Sequence, residues 1–351
     1  MEIWNGVRFT DNDVKEVFIA CGKVWLFSMK KRILPAAIAV VTAVLCLNGC
    51  GNTESFMKPY DIGSEQSEFS NFDSADSDRG TPFAADLCVV SNNVLPSTAT
   101  VTAECASIYC LENNEILYAK NVHERMNPAS LTKIMTALLA IESGKLDEVV
   151  TVTEEAMITE SGATVCDLKP GDQLTLRQLL NCSLVKSGND AAAAIAVYLG
   201  QSIEGFSAMM NERAVELGAT NTNFTNPHGL TAEQHYTTAY DVYLILQEAV
   251  KYDEFLKIIN QPSYELEYID VEGTVKTNTF ETTNRFLNGN AEAPEGVTVV
   301  GGKTGTTNAA GSCLALFSKG KSGKTYVSVI LKAEGSDILF QEMADLLSLE
   351  N

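Results

Sequence analysis

Ser130 and Lys133 are a serine and a lysine three residues apart, behind Pro128 and at the start of an apolar run that reaches Ile141. Residues at positions i and i+3 share one face of a helix, so this hydroxyl and this amine can meet. A serine becomes a nucleophile when a base lies beside it, and a neutral lysine can be that base. Because the first turn of a helix disfavours a cation, we expect the pKa of Lys133 to be lowered. The pair predicts catalysis by an activated hydroxyl.

A second pair, Ser187 and Asn189, falls where one predicted helix ends and another begins near Ala191. On such a loop a hydroxyl could relay a proton, and an amide could hold a substrate backbone. The alternative is structural, since Asn189 or Asp190 would make a good helix N-cap.

A third group, Lys303, Thr304 and Gly305, ends a β-branched run that begins near Gly296. Lysine and threonine together can bind a carboxylate, and glycine lets a substrate backbone approach the edge of a strand. The alternative is a basic residue on a glycine-rich strand. Lys-Thr-Gly occurs once in the chain, whereas the Ser-x-x-Lys spacing recurs at four other places. The order of the three groups, on helix, loop and strand, therefore counts for more than any one of them.

The elements that must position these groups are an antiparallel sheet and a set of helices. Alternating apolar residues predict two strands within 101–119, and further strands at 149–152, 296–300, 312–317 and 325–331. Apolar periodicity predicts helices at 176–185, 191–199, 204–217, 238–251 and 336–349. Short turns join the last strands, so we expect these to pair antiparallel.

The combination resembles the serine D-alanyl-D-alanine carboxypeptidases, the low-molecular-mass penicillin-binding proteins of peptidase family S11 in the β-lactamase/DD-peptidase superfamily. The matching segments are 127–133, 168–172, 187–190, 226–230 and 302–311, within a region from about residue 100 to the end. The resemblance implies an α+β fold, with an antiparallel sheet of about five strands flanked by helices, plus an all-helical subdomain. It implies release of the terminal D-alanine from peptidoglycan stem pentapeptides in cell wall biogenesis, with no cofactor and no metal.

The resemblance also assigns roles to the first two groups. Ser130 would attack the carbonyl between two D-alanines and carry the acyl group, and Lys133 would take its proton. Ser187 would help pass that proton to the leaving amine, and Asn189 would contact the substrate backbone. β-Lactam antibiotics would acylate Ser130 as covalent inhibitors.

The third group would bind substrate. Lys303 and Thr304 would hold the terminal carboxylate, beside the strand edge that Gly305 leaves open. Lys303 would also place a second cation near Lys133. The N–H groups of Ser130 and Thr306 would form the oxyanion hole.

The chain departs from the family in two respects. Thr306 occupies a position that is often histidine, which leaves fine substrate preference open. Many members add a β-rich domain and a C-terminal amphipathic anchor, and we expect both to be absent here because Asn351 closely follows the last predicted helix.

Two other functions use similar motifs. A class A-like serine β-lactamase usually has Ser-Asp-Asn in place of Ser187-Gly188-Asn189, and it needs a deacylating glutamate in a Glu-x-x-Leu-Asn-like loop. That loop is not found between Asp190 and Gly302. The other alternative is a non-catalytic penicillin-binding sensor lipoprotein or wall-binding module, and the intact Ser130 and Lys133 argue against it. A Ser-His-Asp hydrolase of the α/β type is unsupported because the chain has no Gly-x-Ser-x-Gly elbow, and we interpret His228 as a hydrogen-bonded loop side chain.

The first part of the chain indicates export. A basic segment at 29–32 precedes fifteen uncharged residues, 33–47, which is typical of a signal peptide and shorter than the about 20 residues of a membrane span. The segment 47–50 resembles the end of a lipoprotein signal, in which Cys50 would carry lipid. Asn48 departs from that pattern, so an ordinary signal peptide or an uncleaved anchor remain alternatives. Residues 1–28 fit neither role, and we expect Met29 to be the true start.

The next segment, 51–97, predicts a disordered acidic tether, since its eight acidic residues outnumber two basic ones and it lacks periodicity. The catalytic domain would then occupy residues 98–351. We expect a protein on the outer face of the bacterial cytoplasmic membrane, held by an N-terminal lipid anchor, or one secreted to the cell wall.

Composition excludes some partners. The 351-residue chain has a net charge of −20, whereas nucleic-acid binding needs a basic surface. Its nine cysteines include no Cys-x-x-Cys pair, so their spacing does not predict a metal site. We interpret the six cysteines beyond Cys50 as buried thiols, although exported proteins can form disulfides.

Overall fold

The chain folds into two antiparallel sheets and eight α-helices within residues 87–350, which the computed structural model describes. The strands are β1 (Cys105–Cys110), β2 (Glu115–Lys120), β3 (Val149–Thr151), β4 (Gln173–Thr175), β5 (Ser263–Ile269), β6 (Val275–Glu281), β7 (Thr298–Thr307), β8 (Gly311–Lys319) and β9 (Thr325–Ala333). The helices are α1 (Thr132–Glu142), α2 (Leu176–Asn181), α3 (Asn189–Gly200), α4 (Ile203–Glu216), α5 (Ala239–Ala249), α6 (Asp253–Ile259), α7 (Arg285–Asn288) and α8 (Ser336–Leu347).

The larger sheet has the order β2-β1-β9-β8-β7, so its first two strands join the last three across the whole domain. Strand β1 pairs antiparallel with β9, with Ile108 opposite Ser328. Strand β7 pairs with β8 and stands at the end of the sheet. The predicted antiparallel sheet of about five strands is confirmed, and its free edge belongs to the strand that carries Lys303.

Helices cover both faces of this sheet. On one face, Tyr109 of β1 belongs to a core with Met135 of α1 and Tyr243 of α5. On the other face, Ile108 belongs to a core with Met343 of α8. Alternate residues of a strand point to opposite faces, so β1 is buried along its whole length.

The smaller sheet has the order β3-β4-β5-β6 and lies among the helices of the other part of the fold. Strands β5 and β6 form a hairpin from Ser263 opposite Glu281 to Ile269 opposite Val275. Leu266 of this hairpin is buried while its neighbours in β5 are exposed, which is the alternation of a half-buried strand. The α+β expectation holds, but the subdomain expected to be all-helical carries this four-stranded sheet.

Packing of the domain begins before residue 98. The Cys88 N–H donates to the Tyr243 hydroxyl at 3.0 Å, and Val94 bridges Ala119 of β2 through two bonds of 2.8 Å. The C-terminal end of the predicted 51–97 tether is therefore part of the folded domain. The rest of that segment, Cys50 and the predicted leader lie outside the described residues.

The six cysteines of the described region are buried and present as free thiols: Cys88, Cys105, Cys110, Cys166, Cys182 and Cys313. This agrees with their interpretation as thiols that fill the core. Between residues 87 and 350, no helix has the length and apolarity needed to cross a bilayer.

Candidate active site

Ser130 lies on a single 3₁₀ turn, Ala129–Leu131, that leads directly into helix α1. Ala129 has a φ of +47°, in the left-handed region that residues with a Cβ rarely adopt. This bend places Ser130 one turn before Lys133 on a continuous helical path. Helix α1 ends just before Gly144, whose φ of +68° a glycine adopts without steric cost.

The Lys133 side chain is fully buried, and its amine makes three short contacts. Its Nζ lies 2.8 Å from Ser130 Oγ, 2.6 Å from Asn189 Oδ1 and 2.8 Å from the backbone oxygen of His228. The amine therefore joins the helix, the loop and a third segment at one point. A lysine without its proton could accept the hydrogen of Ser130 Oγ from this position.

The pKa of Lys133 is lowered well below its ordinary value, first because burial disfavours the charged form and second because Lys303 places another cation nearby. The sequence predicted both the lowering and the influence of Lys303. The sequence attributes the lowered pKa mainly to the helix terminus, whereas in the structure desolvation of the buried amine is the largest cause. Burial also lowers the pKa of Lys303 to about 7.

The loop with Ser187 and Asn189 follows α2 through a π-helical turn, Cys182–Lys186. Ser187 ends that turn with a φ of +67°, and helix α3 starts two residues later. Gly188 is the N-cap residue of α3 and has no capping side chain, while Asp190 Oδ1 accepts the Ala191 N–H of the first turn at 2.9 Å. The Asn189 side chain instead accepts from Lys133, so the helix-cap alternative for Asn189 is wrong.

Asp190 fixes this loop through hydrogen bonds to the segment before it. Its buried carboxylate accepts the N–H groups of Cys166 at 2.9 Å and Leu168 at 3.1 Å. These bonds tie the start of α3 to the preceding segment. The loop and the amide of Asn189 are thereby fixed relative to Lys133.

Strand β7 brings the third group against the turn that carries Ser130. A Cβ added at Gly305 would lie 2.8 Å from the backbone nitrogen of Ser130, so only glycine allows this approach. Lys303 is buried, and its Nζ donates to the backbone oxygen of Thr304 at 2.9 Å. The half-buried Thr304 and the exposed Thr306 lie on the same strand, and the Thr304 hydroxyl is hydrogen-bonded to Thr283 at 2.5 Å.

The structure thus brings Ser130, Lys133 and Asn189 into contact, and β7 packs on the Ser130 turn. A family profile described as Peptidase_S11, D-alanyl-D-alanine carboxypeptidase, matches residues 92–335. The chain belongs to this family.

Curated members of this family are similar to the chain in sequence. The D-alanyl-D-alanine carboxypeptidase DacF of Bacillus subtilis is 36% identical over 241 residues, which are 67% of this chain and 59% of that protein. A D-alanyl-D-alanine carboxypeptidase of Streptomyces sp. strain K15 is 30% identical over 251 residues, 67% of this chain and 84% of that one. The chain spans about three fifths of the length of curated relatives such as DacF.

Solved structures show the same fold. The crystal structure of the Streptomyces K15 DD-transpeptidase superimposes with a TM-score of 0.66 at 27% identity, covering 72% of this chain and 97% of that one. The D-alanyl-D-alanine carboxypeptidase DacD of Francisella tularensis gives a TM-score of 0.63, with 74% and 73% covered. The β-lactamase/DD-peptidase-like fold is therefore confirmed.

The segment 226–230 contributes a backbone oxygen to the site. His228 acts through its backbone oxygen, which accepts from Lys133 at 2.8 Å. Its ring accepts from the Leu230 N–H at 3.2 Å, so the interpretation as a loop side chain is confirmed. Asn226 Oδ1 accepts from the Gly229 N–H at 2.7 Å and holds the turn. A backbone acceptor leaves no signal in residue type, which is why motif spacing could not find it.

Proposed function

We propose that this chain is a serine-type D-alanyl-D-alanine carboxypeptidase acting on peptidoglycan stem pentapeptides. One observation carries the proposal: the Lys133 amine, with a lowered pKa, lies 2.8 Å from Ser130 Oγ at the edge of β7. A base within hydrogen-bond reach of a hydroxyl is the geometry that nucleophilic catalysis requires. Family membership supports the choice of substrate.

Acylation would proceed in the following way. Neutral Lys133 takes the proton of Ser130 as Oγ attacks the carbonyl carbon of the penultimate D-alanine. Negative charge develops on the carbonyl oxygen, where the N–H groups of Ser130 and Thr306 would donate; loss of one such donor typically lowers the rate by about 10²–10³-fold. The C–N bond then breaks, and the proton passes to the amine of the departing D-alanine with the help of Ser187.

Substrate would lie along the open edge of β7. Asn189 would contact its backbone amide, although in the free enzyme its oxygen accepts from Lys133. The terminal carboxylate would meet the Thr304 hydroxyl and the charge of Lys303. Water then attacks the ester at Ser130 Oγ, releasing the shortened peptide and restoring the hydroxyl.

The test measures D-alanine released from a pentapeptide ending in two D-alanines, together with the mass of the protein after penicillin treatment. Wild type should release D-alanine and gain the mass of one penicillin. Ser130→Ala should lose both activities because Oγ is the attacking atom. Equal turnover by Ser130→Ala would refute the nucleophile assignment, and rapid penicillin hydrolysis without D-alanine release would favour a β-lactamase.

We further propose that the protein is exported and anchored by lipid on Cys50. Support comes from the basic and apolar order of residues 29–47 and from the cysteine directly after it. Cells fed labelled palmitate should incorporate label into wild type and not into Cys50→Ser. Equal labelling of the variant, or none in wild type, would exclude this anchor.

A further inference from the structure

His235 lies beneath the Ser130 turn as a buried residue that takes no part in the mechanism above. It stands on the strand-like segment before α5, where Met126 and Thr237 pair through backbone bonds. Its Nε2 lies 2.8 Å from Thr132 Oγ1, and its Nδ1 lies 3.0 Å from the backbone nitrogen of Thr225. The Thr225 hydroxyl also lies 3.3 Å from Nδ1, so each ring nitrogen has one partner residue.

The directions of these bonds follow from the donors available. The Thr225 N–H can only donate, so His235 Nδ1 accepts and its Nε2 carries the hydrogen. Thr132 Oγ1 has one hydrogen, and it donates this to the backbone oxygen of Ala129 at 2.8 Å. His235 Nε2–H therefore donates to Thr132 Oγ1. Burial lowers the pKa of His235 to about 4, which keeps the ring neutral near pH 7.

The chain of bonds ends on a strained peptide unit. Ala129 has a φ of +47°, a conformation that costs about 1–3 kcal/mol and persists only when its surroundings enforce it. Gly229 packs so closely against the same carbonyl that a Cβ there would lie 1.8 Å from Ala129 O. The Ala129 oxygen accepts both the hydroxyl and the backbone N–H of Thr132, and Gly229 occupies the space beside it.

That oxygen shares one planar peptide unit with the nitrogen of Ser130. In a trans peptide the C=O and N–H bonds point in opposite directions, and neither can turn without the other. A bond that holds Ala129 O therefore sets the direction of the Ser130 N–H. This N–H is the oxyanion donor of the proposed function.

We propose that His235, acting through Thr132, is a positioning residue that aims the Ser130 N–H at the oxyanion. The inference rests on the proposed function and adds to it a part for two residues that do not touch substrate. Removing the hydrogen bonds that link His235, Thr132 and Ala129 should weaken binding of the transition state more than binding of the substrate, because the oxyanion forms only during reaction.

The test compares His235→Phe with His235→Gln, and Thr132→Val with Thr132→Ser, in the full chain. Phe and Val are close in size to the residues that they replace but cannot make the hydrogen bond. Gln at position 235 keeps a donor, and Ser at position 132 keeps the hydroxyl. We expect kcat for D-alanine release to fall about 10- to 100-fold in the first of each pair, part of the loss seen when an oxyanion donor is deleted. KM should change less than threefold or so, and the second of each pair should recover most of kcat.

Thr238→Val is the matched control. It removes a buried threonine hydroxyl that accepts from the Asp241 N–H and caps α5, without touching the Ser130 turn. It should lower the free energy of unfolding by about 1 kcal/mol while leaving kcat unchanged.

The outcomes separate the two proposals. If wild type releases no D-alanine and takes up no penicillin, the proposed function fails. If wild type is active and both His235→Phe and Thr132→Val keep its kcat, the positioning role fails and the function stands. Should His235→Phe not fold, the Thr132 pair decides alone, since equal kcat for Val and Ser would overturn the proposal.

Discussion

Asn189→Asp would place a carboxylate against the proposed base with almost no change of shape. Asn189 Oδ1 accepts from Lys133 Nζ at 2.6 Å, so one oxygen of the new side chain would sit at the same distance. At an effective dielectric constant of about 20, unit charges 2.6 Å apart attract by about 6 kcal/mol. Desolvation of a buried carboxylate offsets much of this attraction. An opposite charge at this distance usually still raises the pKa of a lysine enough to lower its neutral fraction by about 10- to 1000-fold.

The expected result is slower acylation near neutral pH and an acid limb displaced to higher pH. Lys133 must be neutral to take the proton of Ser130, and a raised pKa delays that state until the pH is higher. The assay is the rate of acylation by a fluorescent penicillin from about pH 5 to pH 10. Asn189→Ala is the control, because it removes the oxygen without adding charge and should not move the acid limb upward. An Asn189→Asp profile that matches wild type would refute Lys133 as the base.

Two further predictions test the surroundings of the site. Gly229→Ala should abolish penicillin labelling, because the new Cβ would lie 1.8 Å from Ala129 O; Gly144→Ala, with an open site and a φ of +68°, should cost only about 1–2 kcal/mol and keep activity. A labelled Gly229→Ala protein would contradict the packing. The pKa of Lys303 is about 7, against an ordinary 10.5. Burying its cation therefore lowers the free energy of unfolding by the full amount below about pH 7, and this loss disappears as the pH rises toward 10.5. Urea unfolding should therefore show Lys303→Met gaining stability over wild type at low pH, with the gain shrinking by about 1.4 kcal/mol per pH unit above pH 7; a constant difference would contradict it.

Much of the fold was readable because most elements have strong local patterns. The two strands near residue 110, the last two strands and helix α5 agree with their predicted positions, whereas β7 extends beyond the predicted 296–300 to Thr307. The β5–β6 hairpin was missed, although Tyr264, Leu266 and Tyr268 alternate with polar residues and the turn contains Gly273. Helix α6 was missed because at seven residues it is too short for periodicity to be informative.

The candidate site divides along similar lines. Side chains whose proposed roles depend on residue type, such as Ser130, Lys133 and Asn189, could be predicted from motif order. The His228 oxygen and the bond from His235 to Thr132 could not, because they depend on how segments about a hundred residues apart meet. Spacing along the chain carries no information about such contacts when the intervening fold is unknown.

The backbone conformations of two site residues require support from the surrounding fold. Ala129 and Ser187 both adopt left-handed φ values although neither is glycine, and each such residue costs about 1–3 kcal/mol. Local sequence favours relaxing both. Ala129 is held by Thr132 and Gly229, and the loop of Ser187 is held where Asp190 accepts two distant N–H groups. The motifs supply reactive groups, and contacts outside the motifs enforce the backbone that aims them, so a change at His235 or Gly229 should alter catalysis as surely as one in a motif.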